Sequence, residues 1–418
     1  MTIALTPKLF RRQIIDAARD GEVVAPLCPH APPAGMCGGC TFQDRSYATQ
    51  IAAKQVALRS LWATELATDL LDSVHVIGSP NPYAYRTRMD YVCSRDRFGL
   101  RRSGKFNFII DLDQCHLIPP AAFAAARGVY EYASSLGLPD YNLHTHEGFL
   151  RYVVVRRSPD DQLLLVVVTA VPDVDGVYER ALEEVAAEAL ADPTVLGLHW
   201  LVNATVSDIS FGAPQRQWGV ATLPMQVGRH TLQIGPNTFF QNNVHLLIPL
   251  LDDVAGLISG QRHSSADVPS TGGSLPTVAD LYGGVGTIAL HVADRVQTIV
   301  TVESVDESAQ LAKQNSVANG ISNIMSVQAE TLAYLREQAV GHFDVIIADP
   351  PRTGLGRDVC RELLRLRPQR IIYVSCNPLS QVEDTRALAD GYQVTELRGY
   401  DMFPQTPHLE SLALLEAR

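Results

Sequence analysis

One cysteine of this 418-residue chain stands where chemistry rather than packing is expected. Cys376 follows the apolar stretch 370–374, which has the composition of a buried strand, and precedes Pro378, which favours the first turn of a helix. The N-terminus of a helix lowers the pKa of a thiol, and the thiolate is the nucleophilic form. We therefore predict that Cys376 is a covalent nucleophile.

Two acidic residues are candidate partners for this thiol. Asp349 follows a second apolar stretch, residues 343–348, and begins the sequence Asp-Pro-Pro-Arg. Glu410 lies between a proline-containing loop, residues 403–407, and an apolar strand, and it is a candidate general base. Because open α/β sheets bind ligands at the carboxyl ends of their strands, Cys376 and Asp349 are expected to face one crevice.

A glycine-rich turn predicts a cofactor site at the same edge. Residues 280–287 read Asp-Leu-Tyr-Gly-Gly-Val-Gly-Thr, and glycines let a backbone turn sharply and approach a ligand closely. Glu303 ends the next apolar stretch, about 20 residues further on, where an acid can bind ribose hydroxyls. Both features fit a dinucleotide or S-adenosylmethionine. The incomplete G-x-G-x-x-G pattern favours S-adenosylmethionine.

Four cysteines have the spacing of metal ligands. Cys28, Cys37 and Cys40 form C-x8-C-G-G-C, and Cys115 is a fourth candidate far downstream. Four thiolates suit zinc as well as an iron–sulfur cluster, and spacing alone does not separate the two. The two remaining cysteines, Cys93 and Cys360, have no evident partner and are predicted to be packing residues.

The order of the predicted elements divides the chain into three parts. We expect an N-terminal cysteine region with a helix over 54–71 (residues 1–75), a central α+β domain (76–228) and a C-terminal α/β domain (229–418). In the last part, apolar strands alternate with helices, which predicts a parallel, doubly wound sheet. Residues 259–276, rich in Gly, Ser, Thr and Pro, are predicted to be a flexible surface loop.

Composition limits the class of protein. The chain is 46% hydrophobic and 19% charged, which is typical of a globular protein of two or three domains. It has no apolar run of the roughly 18 residues that cross a membrane, so we expect a cytoplasmic protein. The net charge of -11 is unusual for a nucleic-acid binder. One stretch, residues 85–108, is nevertheless basic with interleaved aromatics, and it is a candidate RNA-facing patch.

Taken together, the motifs resemble the TrmA/RumA-type RNA 5-methyluridine methyltransferases. The matching segments, in chain order, are GPNTFFQNN (235–243), DLYGGVGT (280–287), VES (302–304), IADPPRTG (347–354), YVSCNP (373–378) and PHLES (407–411). Each is weak alone, but the ordered set is specific and covers the C-terminal half of the chain.

The resemblance implies a class I, Rossmann-like methyltransferase fold and methylation of uracil C5 in RNA. Matching positions would make Cys376 the nucleophile and Glu410 the base that removes the C5 proton. Four residues would bind S-adenosylmethionine: Gln241, Tyr282, Glu303 and Asp349.

The family resemblance also bears on the cysteines and on the RNA. Iron–sulfur members of the family carry similar cysteines, so Cys28, Cys37, Cys40 and Cys115 would hold a [4Fe–4S] cluster. The same likeness favours 23S ribosomal RNA over transfer RNA. Many members begin with a small RNA-binding barrel called TRAM. With 27 residues before Cys28, we expect none here.

Three alternatives remain open at this point. The target could be transfer RNA, and a methyltransferase acting on the amino groups of adenine or guanine would also use a DPP-type motif. A non-catalytic iron–sulfur RNA-binding protein is the alternative from another class. The presence of both Cys376 and Glu410 argues against it. We expect a monomer by default.

Overall fold

Helices and strands alternate along most of the chain, which the computed structural model describes over residues 5–172, 176–259 and 274–418. The helices are α1 (Pro7–Ala18), α2 (Tyr47–Trp62), α3 (Thr68–Ser73), α4 (Pro120–Ser135), α5 (Val177–Ala189), α6 (Val244–Ile258), α7 (Thr287–Val292), α8 (Asp306–Ala318), α9 (Thr331–Arg336), α10 (Gly356–Leu366) and α11 (Pro378–Leu388).

The strands are β1 (Val76–Ile77), β2 (Arg88–Cys93), β3 (Phe98–Arg102), β4 (Lys105–Asp111), β5 (Leu150–Arg157), β6 (Leu163–Thr169), β7 (Val195–Val202), β8 (Ala213–Gly219), β9 (Leu223–Val227), β10 (His230–Ile234), β11 (Thr277–Leu281), β12 (Thr298–Glu303), β13 (Ile324–Gln328), β14 (Val345–Ala348), β15 (Arg370–Ser375), β16 (Tyr392–Tyr400) and β17 (Glu410–Ala417).

An eight-stranded sheet carries the C-terminal motifs, in the order β1-β16-β17-β15-β14-β11-β12-β13. Strands β11 to β15 are parallel, and β17 is antiparallel to β15. Successive side chains of a strand point to opposite faces. Val345 and Ile347 of β14 accordingly pack with α6 and α7, whereas Ile346 and Ala348 pack with α9 and α10. Burial on both faces explains why these strands are continuous apolar runs.

A seven-stranded sheet forms the middle of the chain, in the order β4-β3-β2-β5-β6-β7-β8. Its neighbours are antiparallel except β6 and β7, which α5 connects. Helices α4 and α5 cover one face with an apolar core. Strands β1 and β9 lie outside this sheet, since β1 pairs with β16 and the β9–β10 hairpin packs on α6, α7 and α8. The three-part division stays a prediction.

The prediction for the first 75 residues was wrong in its helices. The segment before residue 50 contains α1, which Thr6 caps and whose residues Phe10, Ile14 and Ala18 are buried. The helix expected over 54–71 begins at Tyr47 and ends at Trp62. Most of the surface loop predicted over 259–276 lies outside the described residues. No helix in the described ranges combines the length and apolarity needed to cross a membrane.

The loop before β17 is fastened to α2. Lys54 and Asp401 form an ion pair in which both side chains are completely buried, and Lys54 Nζ also donates to the Phe403 carbonyl at 3.3 Å. Gln50 Nε2 donates to Gln405 Oε1 at 3.0 Å, and the Gln405 amide donates to Gln50 Oε1 at 3.0 Å. Helix α2 therefore fixes the loop that leads into Glu410.

Removing the cation of this pair is expected to destabilise the protein strongly. Lys54→Met leaves the Asp401 carboxylate buried without its partner, which costs about 3–5 kcal/mol, whereas replacing both members with apolar residues is often near neutral. Urea unfolding followed by circular dichroism should show this loss for Lys54→Met and its recovery in Lys54→Met/Asp401→Leu. Lys313→Met, at an exposed position, is the control. A loss below about 1 kcal/mol for the single variant contradicts the assignment.

Candidate active site

Five of the predicted site residues lie at one edge of the eight-stranded sheet. Tyr282, Asp349 and Cys376 follow the last residues of β11, β14 and β15, and Glu303 ends β12. These four strands are parallel, so their carboxyl ends meet at this edge. Glu410 reaches the same edge from the other direction because it is the first residue of β17, which runs antiparallel to β15.

Strand register brings Cys376 next to Glu410. Ser375 of β15 pairs with Ser411 of β17, so the next position outward on each strand is Cys376 and Glu410. All seven cysteines lie in the described ranges, six of them buried and Cys376 half-buried. Cys376 is therefore accessible, as a nucleophile must be, and Glu410 is buried beside it.

The loop after β14 is held against the start of α11. Asn377 Nδ2 donates to the Arg352 carbonyl at 2.8 Å. Asp384 of α11 accepts the backbone amides of Leu355 and Gly356 at 2.7 and 3.1 Å. These bonds place the Arg352 guanidinium near Cys376, where it lowers the pKa of the thiol and opposes the nearby carboxyls.

Three acidic groups crowd this part of the site. Burial, then Glu410 and Asp349, raise the pKa of Cys376 to about 12, while Arg352 acts in the opposite direction. Burial and Asp349 also raise the pKa of Glu410 well above its usual value. Burial raises the pKa of Asp349 to about 7, opposed by a hydrogen bond from Gln241 Nε2 at 2.9 Å. In the substrate-free site, the pKa values of the thiol and of both carboxyl groups are therefore raised.

The lowering of the Cys376 thiol pKa that a helix N-terminus favours is outweighed in the substrate-free protein. Pro378 does begin α11, as predicted. However, the carboxyl groups of Asp349, after β14, and Glu410, on β17, act on the thiol, and burial and their charges outweigh the helix end. The net effect of these surroundings is to raise the pKa of the Cys376 thiol.

The glycine turn and the end of β12 form the cofactor side of the crevice. Glu303 accepts the Gly284 amide at 3.0 Å and the Val305 amide at 2.8 Å, which fixes its carboxylate over the turn. Tyr282 has a φ of 61°, a strained value for a non-glycine residue that is typical of ligand sites. A small cavity beside the turn is lined by Tyr282, Gln241 and Asp349.

Sequence reasoning did not single out Asp280, which the structure buries completely beneath the glycine turn. Neither of its oxygens has a well-formed hydrogen bond. Burial and Asp349 raise its pKa to about 8, although the Ala289 amide is close enough to oppose the shift. A buried acid with spare acceptors and donors fits a site that a polar ligand completes. Its place at the head of the glycine motif was the available signal.

The structure also brings together the four cysteines predicted to hold a cluster. Cys28, Cys37, Cys40 and Cys115 are all buried, at 6–8% exposure. Burial, and then the neighbouring Cys115, raise the pKa of each of the other three thiols. The cysteine loop is docked on the central sheet, where the Gly38 amide donates to the Arg101 carbonyl at 2.8 Å.

The spacing of these thiols bears on the kind of metal centre they could hold. Among the residues that the structure describes, no group of three or more His, Cys, Asp or Glu side chains is placed to hold a metal ion. Thiolates around an iron–sulfur cluster stand farther apart than those around one ion, because the atoms of the cluster lie between them. The four buried thiols thus lie near one another without forming a site for a single ion in the described residues, and the cluster stays a prediction.

Comparison with known proteins agrees with this architecture. A family model described as tRNA (Uracil-5-)-methyltransferase matches residues 269–418. An uncharacterized RNA methyltransferase of Caldanaerobacter subterraneus subsp. tengcongensis is 32% identical over 402 residues, covering 94% of this chain and 85% of the relative. A tRNA (uracil(54)-C(5))-methyltransferase of Pyrococcus horikoshii is 30% identical over 385 residues, covering 91% and 84%.

A solved structure is similar over nearly the same length. The Pyrococcus abyssi tRNA (uracil-54, C5)-methyltransferase in complex with S-adenosyl-L-homocysteine has a TM-score of 0.72 and 28% identity, covering 91% of this chain and 86% of that one. The fold is thus that of a Rossmann-like, S-adenosylmethionine-dependent methyltransferase, which confirms the predicted class. More narrowly, the chain belongs to the RNA (uracil-C5) methyltransferase family.

The charge balance around Cys376 predicts how its reactivity depends on pH. Because Arg352 lowers the pKa of the thiol, Arg352→Gln should raise that pKa further, and the rate of alkylation by iodoacetamide should rise only at higher pH. A thiol pKa higher by about 1 leaves roughly tenfold less thiolate at a given pH below it, and so a roughly tenfold lower rate. Mass spectrometry of the Cys376 peptide measures the rate, and Arg352→Lys, which keeps the charge, is the control. Identical pH profiles for wild type and Arg352→Gln refute this role.

Proposed function

We propose that this protein methylates C5 of a uridine in RNA, with Cys376 as nucleophile and Glu410 as base. The observation that carries the proposal is the antiparallel register that places the half-buried thiol beside the buried carboxyl at the cofactor edge of the sheet. A methyltransferase of exocyclic amines needs no thiol in that position, so the site favours a carbon target over that alternative.

The chemistry explains why both side chains are needed. Uracil C5 is a poor nucleophile, and Cys376 Sγ must lose its proton and bond to C6, which moves electron density through C5 to O4. S-adenosylmethionine, when bound, would supply an electrophilic sulfonium methyl group, which C5 takes up as the sulfur–methyl bond breaks and S-adenosylhomocysteine is left. Glu410 then takes the C5 proton, the C5–C6 double bond re-forms, and the Sγ–C6 bond breaks to release Cys376. This is covalent catalysis followed by general-base elimination.

The residues proposed to bind S-adenosylmethionine surround the glycine turn. Glu303, whose carboxylate is fixed by two backbone amides, is suited to the ribose hydroxyls, and Gln241, Tyr282 and Asp349 line the adjoining cavity. Asp349 also connects the cofactor site to the proposed nucleophile and base, since its charge raises the pKa of both Cys376 and Glu410. A sulfonium cation bound near Asp349 would favour the ionised carboxylates.

The proposal includes a [4Fe–4S] cluster held by Cys28, Cys37, Cys40 and Cys115. The clustering of four buried thiols supports it, together with the glycine pair between Cys37 and Cys40. A side chain on Gly38 would come within 2.8 Å of the Arg101 carbonyl, so the loop can wrap this closely only with glycine there.

For the RNA target we propose 23S ribosomal RNA, with transfer RNA as the second candidate because relatives at 30% identity are named tRNA (uracil(54)-C(5))-methyltransferases. The basic stretch 85–108 supports an RNA partner of either kind. Its arginines stack on exposed rings, with Arg101 over Phe106 at 4.0 Å and Arg97 over Phe108 at 4.6 Å. Such pairs can stack on bases. We further propose a cytoplasmic monomer.

Two variants separate the proposed roles of the thiol and the carboxyl. Cys376→Ala should abolish turnover while S-adenosylmethionine still binds, and tritium release from 5-labelled uridine in RNA measures turnover. Glu410→Gln should lose about 10²–10⁴-fold and accumulate a covalent protein–RNA adduct, because addition proceeds and elimination does not. Activity in Cys376→Ala equal to that of wild type rejects the mechanism.

The same assay identifies the RNA. Transcripts of transfer RNA and of 23S ribosomal RNA, both free of modification, are offered separately with S-adenosylmethionine, and 5-methyluridine is mapped in the products. Methylation of ribosomal RNA alone supports our first choice, and methylation of transfer RNA alone replaces it. Absence of 5-methyluridine from both, with intact cofactor binding, rejects uracil methylation of these RNAs.

The cluster is tested by colour and iron content. Protein purified without oxygen is expected to be brown, with broad absorbance near roughly 400 nm that is typical of iron–sulfur chemistry. Cys115→Ser should lose most of this absorbance and the bound iron, whereas Cys93→Ser, at a buried cysteine outside the group, should retain them. One zinc and no iron per chain would contradict the cluster.

A further inference from the structure

An open groove of about 980 Å³ leads away from the active site, between helix α1 and the start of β2. Its lining includes Thr406, Pro407 and His408, in the loop that leads into Glu410, together with Asn242, the neighbour of Gln241. The groove therefore reaches the immediate neighbours of the residues proposed to carry out the chemistry. One of its walls belongs to the basic stretch 85–108, whereas the α1 wall was not singled out from the sequence.

The groove is basic in a protein whose net charge is -11. Its charged lining consists of Lys8, Arg11 and Arg12 on α1, and Arg86, Arg88 and Asp90 on the opposite wall. The single acid in this lining, Asp90, is bonded to Arg88 at 2.8 Å. Within the part of the chain that the structure describes, Lys8 and Arg11 make no ion pair. Their charges are thus available to an anion in the groove.

Helix α1, which forms one side of the groove, is packed on the rest of the protein through its apolar face. Phe10, Ile14 and Ala18 bury one side of it in a cluster that includes Ala57 of α2 and Leu379 of α11. Positions 8, 11, 12 and 15 recur at the spacing of one helix face, and they line the groove. The basic side chains therefore project from a helix whose other side is packed on α2 and α11.

The cations continue from the groove to the nucleophile. His408 lies between them, and its pKa falls to about 3, first through burial and then through the nearby charges of Arg352 and Arg11. Arg352 is also the cation beside Cys376. A row of positive charge thus runs from α1 past His408 to the thiol, which suits a chain of regularly spaced anions better than a single small anion.

We propose that this groove binds the ribose-phosphate backbone of the RNA strand next to the target uridine, with Lys8 and Arg11 of α1 contacting phosphates. This inference rests on the proposed function and adds a surface to it. It assigns to α1 a role in RNA binding, opposite the groove wall that the basic stretch 85–108 supplies. It also accounts for RNA binding by an acidic protein, because the positive charge is concentrated where the strand would lie.

The experiment removes the two cations without disturbing the buried side of α1. Lys8→Gln/Arg11→Gln is compared with Lys313→Gln/Arg361→Gln, which removes one lysine and one arginine from exposed positions outside the groove. The probe is a fluorescein-labelled stem–loop RNA with uridines in its loop, and anisotropy gives Kd at several salt concentrations. The groove variant should bind more weakly, and its slope of log Kd against log salt should fall by about 1.4, or 0.7 for each lost phosphate contact.

Two results would overturn the inference. One is a Kd and salt slope in the groove variant equal to those of the control. The other is absence of RNA binding by the wild-type chain at low salt. Turnover distinguishes a failure of this inference from a failure of the proposed function. If the wild-type chain methylates uridine and the groove variant binds RNA as the control does, only the groove proposal is rejected. S-adenosylmethionine binding and the melting temperature should be unchanged in both variants, which excludes a folding defect.

Discussion

The antiparallel pairing of β17 with β15 is the constraint on which the candidate site depends. In a sheet of parallel strands, side chains at one edge all come from strand ends. By running the other way, β17 brings the beginning of a strand to that edge, so that Glu410 arrives next to Cys376. A one-residue slip would turn the buried side chains of one strand to the opposite face. The register is held by apolar residues of both strands, Ile372 and Val374 of β15 and Leu412 and Leu414 of β17.

Two helices near that pairing hold the loops that position other residues of the site. Helix α2 fixes the loop before Glu410 through a buried ion pair and reciprocal amide bonds, and Asp384 of α11 fixes the loop that contains Arg352. The resulting site collects acidic groups beside the guanidinium of Arg352. Such crowding stabilises protons on the thiol and the carboxyls, and it gives any bound cation or substrate a large influence on their ionisation.

The sequence predicted the motifs at strand ends and the four cysteines, because local order places them: an apolar run ending in Cys376 or Asp349 is visible without a structure. The ionisation of Cys376 could not be predicted in the same way, since it depends on Glu410 from another strand. Helix α1 was not predicted, although Phe10 and Ile14 at helical spacing were a usable signal. Residues such as Gln50, whose partner is 355 positions away, had no local signal at all.

That separation has a consequence for the order in which the protein folds. The amide pair of Gln50 and Gln405 closes nearly the whole length of the chain, and contacts of such high sequence separation form late because their loop-closure entropy must be met first. The parallel strands and the central sheet can assemble before it. The loop that leads into Glu410 is therefore expected to dock on α2 late in folding, so that the fastening of the candidate site follows the formation of its strands.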